Sequence, residues 1–333
     1  MENNLTLLVL IKEFCVYPKH TPKMDTIKAF EDVANVHYWH SDGNIKDILS
    51  ELQINPDFIF HYDIAWNYSL APKIDGLEEI GIPKGCFVID LHWKPEERRK
   101  YIEENRIDLV FSATRHPFLK VFPEYEKKLR WLPWAINPSV MKDWKLEKTI
   151  DTLLMGLVYV DKYNQGDHQL PKSVPPKGRY AFRDAVFNVM RDDPDFVYHP
   201  HPGHRVRRGN NLVINEKYAQ ELNRAKIFFT CGSRMETGGI AVLKFFEAPA
   251  CNTLLLAETN KEIESLGFID GVNFVACTPD DLAEKTAYYL TNNKERLRIA
   301  RNGHQLVHTN HTNQKRAEQL LRYINSFLNS QIV

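Results

Sequence analysis

The chain has 333 residues, with 43 Lys plus Arg balanced by 43 Asp plus Glu, so two domains of roughly 150 residues each are expected. The zero formal charge gives no surplus of basic side chains for a polyanion, and nucleic acid is excluded as an expected partner. The five cysteines (Cys15, Cys86, Cys231, Cys251 and Cys277) are odd in number, far apart and set among apolar residues, which predicts buried thiols in a reducing compartment and no disulfide.

Leu5 to Ile11 opens the chain as a strand rather than a signal peptide: it is short, preceded by acidic and amide residues, and has no small-residue cleavage site. Further strands are expected at Val36 to Trp39, Phe58 to His61, Cys86 to Leu91, Leu109 to Ser112 and Leu129 to Leu132. Helices are expected between them at Thr26 to Val33, Ile45 to Leu52 and Pro95 to Asn105, the last with proline in its first turn. Leu132 to Trp144, with two prolines and no period, reads as a linker hinged near Asn137-Pro138, which divides the chain into 1–140 and 141–333.

The second half repeats the alternation. Strands are predicted at Thr152 to Leu157, Phe196 to Tyr198, Ile227 to Thr230, Thr253 to Leu256 and Phe274 to Ala276. Helices are predicted near Arg179 to Arg191 and at Glu216 to Arg224, Gly239 to Ala248 and Asp280 to Leu290, ahead of an amphipathic helical tail whose last helix is able to cross back to the first domain. Gln165 to Gly178 reads as a loop. Such alternation predicts parallel sheets wound by helices, with ligands at the carboxyl ends of the strands. No run approaches the roughly 18 apolar residues of a membrane span. A soluble, cytoplasmic protein is expected, with peripheral membrane contact left open.

One junction concentrates the chemistry. Gly238-Gly239 is read as opening an apolar helix, leaving backbone N–H groups free to face a diphosphate. Glu247, about two turns on, offers a carboxylate to the two hydroxyls of a ribose, and it sits amid Phe245, Phe246, Ala248 and Pro249, where an unpaired charge is costly. Asp63, Asp90 and His92 follow apolar strands of the first half and are candidates for a general base, although each residue type also serves in caps and turns. Trp66, Tyr68 and Trp93 read more as core than as sugar-stacking rings. His199, His201 and His204 lie in a proline-bent stretch poorly suited to metal ligation. Asp193-Pro-Asp195 reads as a turn, and His304, His308 and His311 as a helix-packing stripe.

Several stretches taken in order resemble the CgeB-like (spore maturation type) glycosyltransferases of the GT-B class: PDFIFH at 56–61, DLHW at 90–93, DLVFS at 108–112, WLPWAINP at 131–138, YHPHPG at 198–203, KFFEAPAC at 244–251 and LGFIDGVNF at 266–274. The resemblance implies an α/β GT-B fold of two doubly wound Rossmann-like domains facing a cleft. It also implies transfer of a sugar from a nucleotide diphosphate-sugar donor, held by the second domain, to a glycan or small-molecule acceptor, held by the first, with no cofactor and no metal.

By the same resemblance, Glu247 takes the donor ribose, and Gly238 and Gly239 approach the diphosphate. Arg179, Arg183, Lys162 and Arg234 are candidates to neutralise the leaving group, beside the backbone at Gly156, and His199 or His201 stands near the nucleotide. The two-glutamate pattern of many retaining members is not kept, because Gly239 occupies the position eight before Glu247, so stereochemistry does not carry over. A sugar-nucleotide epimerase of similar fold and a non-catalytic sugar-nucleotide or glycan-binding subunit are the competing expectations.

Overall fold

The computed structural model describes residues 5–13, 17–62, 70–158, 180–202, 212–232 and 239–331. They divide into two compact units: Met1–Val16, Lys23–Pro133 and Asn313–Val333 form one, and Tyr17–Pro22 with Trp134–Thr312 the other.

The first unit is built on six parallel strands: β1 (Thr6–Leu10), β2 (Asn35–Trp39), β4 (Phe58–His61), β6 (Lys84–Val88), β7 (Leu109–Ser112) and β8 (Leu129–Trp131), in the spatial order β2-β1-β4-β6-β7-β8. Two short strands, β3 (Gly43–Asn44) and β5 (Ile74–Asp75), make a separate ladder. The central strands read as continuous apolar runs because helices cover both faces, and Leu7 to Leu10 are essentially inaccessible. Helix Ile45–Leu52 starts where Asn44 accepts a hydrogen bond from the Lys46 amide, and it ends at Gln53 in the left-handed region. The last helix, Asn313–Ser330, belongs to this unit. Arg316 Nε donates to the Pro133 carbonyl at 2.8 Å, and Gln319 and Tyr323 both donate to the Trp131 carbonyl.

The second unit has five parallel strands: β9 (Ile150–Met155), β10 (Phe196–His199), β11 (Ala225–Thr230), β12 (Leu254–Ala257) and β13 (Val275–Ala276), in the order β10-β9-β11-β12-β13. Phe182, Val186 and Phe187 from helix Ala181–Met190 pack with Leu154, Phe229 and Leu256 to form its core. The direction of winding changes between β9 and β11, and a doubly wound sheet opens a ligand crevice at such a point, outside its carboxyl ends.

Four sequence expectations shift. The strand expected from Cys86 to Leu91 runs from Lys84 to Val88. Gly85 extends it backwards because only a residue without Cβ fits against Phe111, and Asp90, with φ of 51°, stops it early. The helix expected from Thr26 begins at Thr21 and tightens into a 3-10 turn over Ala29–Asp32. Trp93, expected in the core, is 37% exposed. The supposed linker is tied into the second unit by Asp143, whose carboxylate accepts from Asn223 Nδ2 and from Asn252 Nδ2, each at 3.0 Å.

The Asp193 side chain accepts from the Asp195 amide, which closes the expected turn. The histidine stripe packs as read: His304 and His308 meet the Ala250 carbonyl at 2.8 and 3.1 Å, and His311 meets that of Leu266 at 2.9 Å. The four described cysteines are buried free thiols, and Cys15 lies outside the described residues, as do the whole of the loop read at Gln165 to Gly178, His204, Trp66 and Tyr68. Among the described residues no helix is long and apolar enough to cross a membrane.

His61, which closes β4, is 1% exposed. Its Nε2 donates to the Pro72 carbonyl at 2.9 Å while Nδ1 faces the Tyr101 hydroxyl, and burial holds its pKa down at about 4. An unfolded chain takes up this proton near pH ~6.5 and the folded one only near its lowered pKa, so the stabilisation is intact above ~6.5 and is lost as pH falls toward the folded value. Unfolding by denaturant is expected to lose about 2–3 kcal/mol between pH ~7 and ~4.5 from this group. The loss should be correspondingly smaller in His61→Gln; an equal pH dependence in both proteins would contradict it.

Candidate active site

The central carboxylate belongs to helix Lys244–Ala250, a single short segment with Pro249 inside it. Phe245 packs on Phe268 and Phe246 on His311, and this apolar anchoring draws Glu247 between them to 6% exposure. Burial raises the Glu247 pKa, opposed by the ammonium groups of Lys244 and Lys19. Lys244 stands one helical turn before it, the spacing at which side chains on one face meet. Burial lowers the Lys244 pKa, with Glu247 pulling it up and Arg183 pushing it down. Tyr218, from helix Asn215–Arg224, turns its buried hydroxyl toward the carboxyl without completing a well-aligned hydrogen bond, and burial followed by the charge of Glu247 raises its pKa far above the ordinary value.

Arg183 enters the same crevice from helix Ala181–Met190. Its guanidinium lies 4.2 Å from the centre of the Tyr180 ring. Gly156, just past β9, has φ of 150°, a backbone that favours glycine, and a Cβ there would stand 3.0 Å from Nη1 of Arg183, so the cation packs close against the bare backbone. The buried Nε of Arg183 has no hydrogen-bond partner among the described residues. Glu258, immediately after β12, has its pKa raised by burial and lowered by Arg183, and burial pushes the Cys231 thiol up to about 11, with Arg183 opposing.

The structure corrects the reading of the glycine pair. Gly239 does not open the helix, which begins five residues later at Lys244. With φ of 78°, Gly239 forms a left-handed turn whose carbonyl accepts from Asn260 Nδ2 at 3.2 Å, a conformation that interrupts a helix. It packs against Gly232 beyond β11, so its backbone still borders the carboxyl ends of the sheet. Glu247 accordingly lies in the first turn of its helix, not two turns in.

His199 ends β10 and pairs with Glu221 at 3.2 Å; that contact, together with Arg224, lowers the Glu221 pKa. His201 meets the ammonium of Lys19. In the first unit, Asp90 and His92 stand in the turn after β6, where Arg98 Nη1 donates to the carbonyls of Ile89 and Asp90 and so fixes the bend. His92 is exposed. Asp63, Lys162, Arg179, Arg234 and Gly238 lie outside the described residues.

The sequence reading passed over Lys19, Tyr218, Lys244 and Glu258. Two of them carried a signal: Lys244 is three residues before Glu247 on a helical stretch, and Glu258 follows an apolar strand, the criterion that had singled out Asp63 and Asp90. Lys19 and Tyr218 are distant in sequence and only the topology brings them in.

Residues 183–322 match a family model described as "Glycosyl transferase-like". No curated protein matches the chain. Among solved structures, the fold is similar to Alr3699/HepE of Anabaena in complex with UDP and glucose, at 11% identity and a TM-score of 0.59, covering 97% of this chain and 100% of that one. A glycosyltransferase from Rickettsia africae ESF-5 is similar at 11% identity and a TM-score of 0.59, with 98% and 99% covered. A UDP-N-acetylglucosamine 2-epimerase, so described for Listeria monocytogenes, reaches 12% identity and a TM-score of 0.50, with 98% and 97% covered. The chain thus has the fold of these two-domain α/β proteins, and residues 183–322 within it match the glycosyltransferase-like family model.

Proposed function

We propose that the chain transfers a sugar from a nucleoside diphosphate donor to a hydroxyl of a glycan or small-molecule acceptor, without a bound metal ion. The observation that carries this reading is the buried carboxylate of Glu247, on which the charges of Lys244 and Lys19 act, in the unit that holds most of the family match. Ribose hydroxyls donate to a carboxylate, so Glu247 is suited to grip the donor's ribose. Departure of the diphosphate builds negative charge, and fixed donors inside a dry crevice stabilise it more strongly than water does. Arg183 is assigned that task, with the backbone at Gly156 beside it and Gly239 as a second candidate backbone contact. Gly238, Arg179, Arg234 and Lys162 remain candidates from the sequence, as do His199 and His201 for contacts to the nucleotide.

In the first unit, Asp90 or His92 is assigned to take the proton of the acceptor hydroxyl, the task of a general base in an inverting transfer, with Asp63 as a third candidate. The ordered sequence stretches favour a CgeB-like specialisation. UDP-sugars are the first donors to try, because Alr3699/HepE has been crystallised with UDP and with UDP-glucose. The similarity to a 2-epimerase supports a second reading, isomerisation of the donor.

Incubation with UDP-, GDP- and ADP-sugars separates these readings. Acceptor-dependent release of the nucleoside diphosphate is expected, whereas an isomerised donor would support the epimerase and binding without turnover a non-catalytic subunit. In calorimetry, Glu247→Gln is expected to weaken nucleoside and nucleoside diphosphate alike, by about tenfold to a hundredfold, the cost of a lost hydrogen-bond acceptor that carries charge. Unchanged affinity for both would remove the ribose assignment. Arg183→Met should weaken the diphosphate by about tenfold or more and spare the nucleoside; equal losses would deny it a phosphate role.

A further inference from the structure

In the second unit, the loop after helix Lys261–Ser265 turns its aromatic residues inward and its aliphatic ones outward: Phe268 and Phe274 are buried, whereas Ile269 is 57% exposed and Val272 43%. Asn273, itself buried, fixes this arrangement by donating through Nδ2 to the Gly267 carbonyl at 2.9 Å and accepting from the Ile269 amide at 2.8 Å. The Gly271 amide donates to the Phe274 carbonyl at 2.9 Å. With φ of 68°, Gly271 makes the left-handed tip, and an added Cβ there would meet no atom within 4 Å. Two aliphatic side chains are thus presented outward on a tip fixed by hydrogen bonds.

The tip is bound to a basic stripe on helix Asn293–Asn310. Arg298 Nη2 donates to the Gly271 carbonyl at 2.9 Å, and Asn302 Nδ2 to that of Val272 at 2.8 Å. Lys294, Arg298 and Arg301 are exposed and stand four and three residues apart, so they share one face of the helix. With Asn292 and Glu295 they line a depression of about 430 Å³, in which three cations meet one carboxylate. Tyr288, from helix Leu282–Thr291, donates its hydroxyl to that carboxylate at 2.7 Å, and Leu297 stands one turn before Arg301. Ile269, Val272, Tyr288 and Leu297 are four of the six large hydrophobic residues exposed among the described ones. Single exposed hydrophobic residues are ordinary, but most of them gathered around a row of cations mark an interaction surface.

We propose that this face docks on an anionic membrane surface. The charge and the apolar tip together select that partner. Phosphates of a nucleic acid would meet the cations but leave Ile269 and Val272 in water. A bilayer interface takes both: lipid phosphates lie at the level of Lys294, Arg298 and Arg301, whose long apolar stems lie along neighbouring hydrophobic surface, while the aliphatic tip enters the acyl boundary. Tyr288, apolar in its ring and polar at its hydroxyl, suits the headgroup level between them. None of these residues belongs to the candidate donor crevice, so the inference stands independently of that reading.

The experiment is co-sedimentation with vesicles of phosphatidylcholine alone and of an equal mixture with phosphatidylglycerol, at low and at high ionic strength. Wild type is expected to bind the mixed vesicles at least about tenfold more tightly than the neutral ones, and to lose most of that advantage in high salt. The pair Lys294→Gln and Arg301→Gln, which leaves the Arg298 bond to Gly271 in place, should weaken binding by about tenfold or more, since each cation near an anionic surface contributes roughly fivefold. The pair Ile269→Ser and Val272→Ser should weaken it by about tenfold or more through lost apolar burial. Both pairs change exposed side chains, so thermal unfolding midpoints close to wild type are expected and show that any loss lies at the surface. Failure of wild type to sediment with the mixed vesicles, equal binding to neutral ones, or wild-type binding by either pair would overturn the proposal. So would a dimer in sedimentation velocity that Ile269→Ser with Val272→Ser dissociates, because the face would then belong to a second copy of the chain.

Discussion

The site depends on the cost of taking one carboxylate out of water. Glu247 is carried into the second unit by Phe245 and Phe246, and burial raises its pKa despite two neighbouring ammonium groups. A buried charge with cations in its neighbourhood adds little to folding, because desolvation offsets most of the attraction. A hydrophobic side chain at 247 would suit the packing at least as well. Charge there suits a ligand that needs a charged acceptor, and Lys244, Lys19 and Tyr218, from three separate stretches of chain, all act on the titration of the carboxyl group.

Around that charge the chain bends in conformations that most residues avoid. Gly156 and Gly239 turn the backbone at or beyond the carboxyl ends of the second sheet, and in the first unit Asp90 does the same beyond β6 under the grip of Arg98. Strand ends in a parallel sheet are where the chain must leave for a crossover helix, so the bends cost the least there and expose backbone groups to a ligand. Gly156 shows the economy of the arrangement: the same missing side chain that permits its φ makes room for Arg183. The cation and the open backbone thus sit side by side without either being strained by the other.

The fold was readable because its signals are local. Apolar runs of four to six residues separated by capped or proline-led helices marked nearly every strand, and Phe58–His61, Leu109–Ser112 and helix Ile45–Leu52 fall where the pattern put them. Where the reading slipped, tertiary contacts decided: Gly85 joins β6 because Phe58 and Phe111 close over it. The site was half readable. Glu247 stood out as a charge in apolar surroundings and Arg183 as a cation at the start of the first helix after Gly156, but the start of the helix at Lys244 was hidden by a glycine whose left-handed turn resembles a helix opening in sequence. Lys19 and Tyr218 were beyond reach, since no local pattern records which loop a sheet will fold onto a distant helix.

A crystal structure of the protein with UDP-glucose tests the central claim most directly. The account predicts both ribose hydroxyls within hydrogen-bond reach of the Glu247 carboxylate, about 2.6–3.2 Å, with the diphosphate facing Arg183. A nucleotide bound elsewhere, with the Glu247 carboxylate out of its reach and the crevice between β9 and β11 filled by side chains, would contradict it.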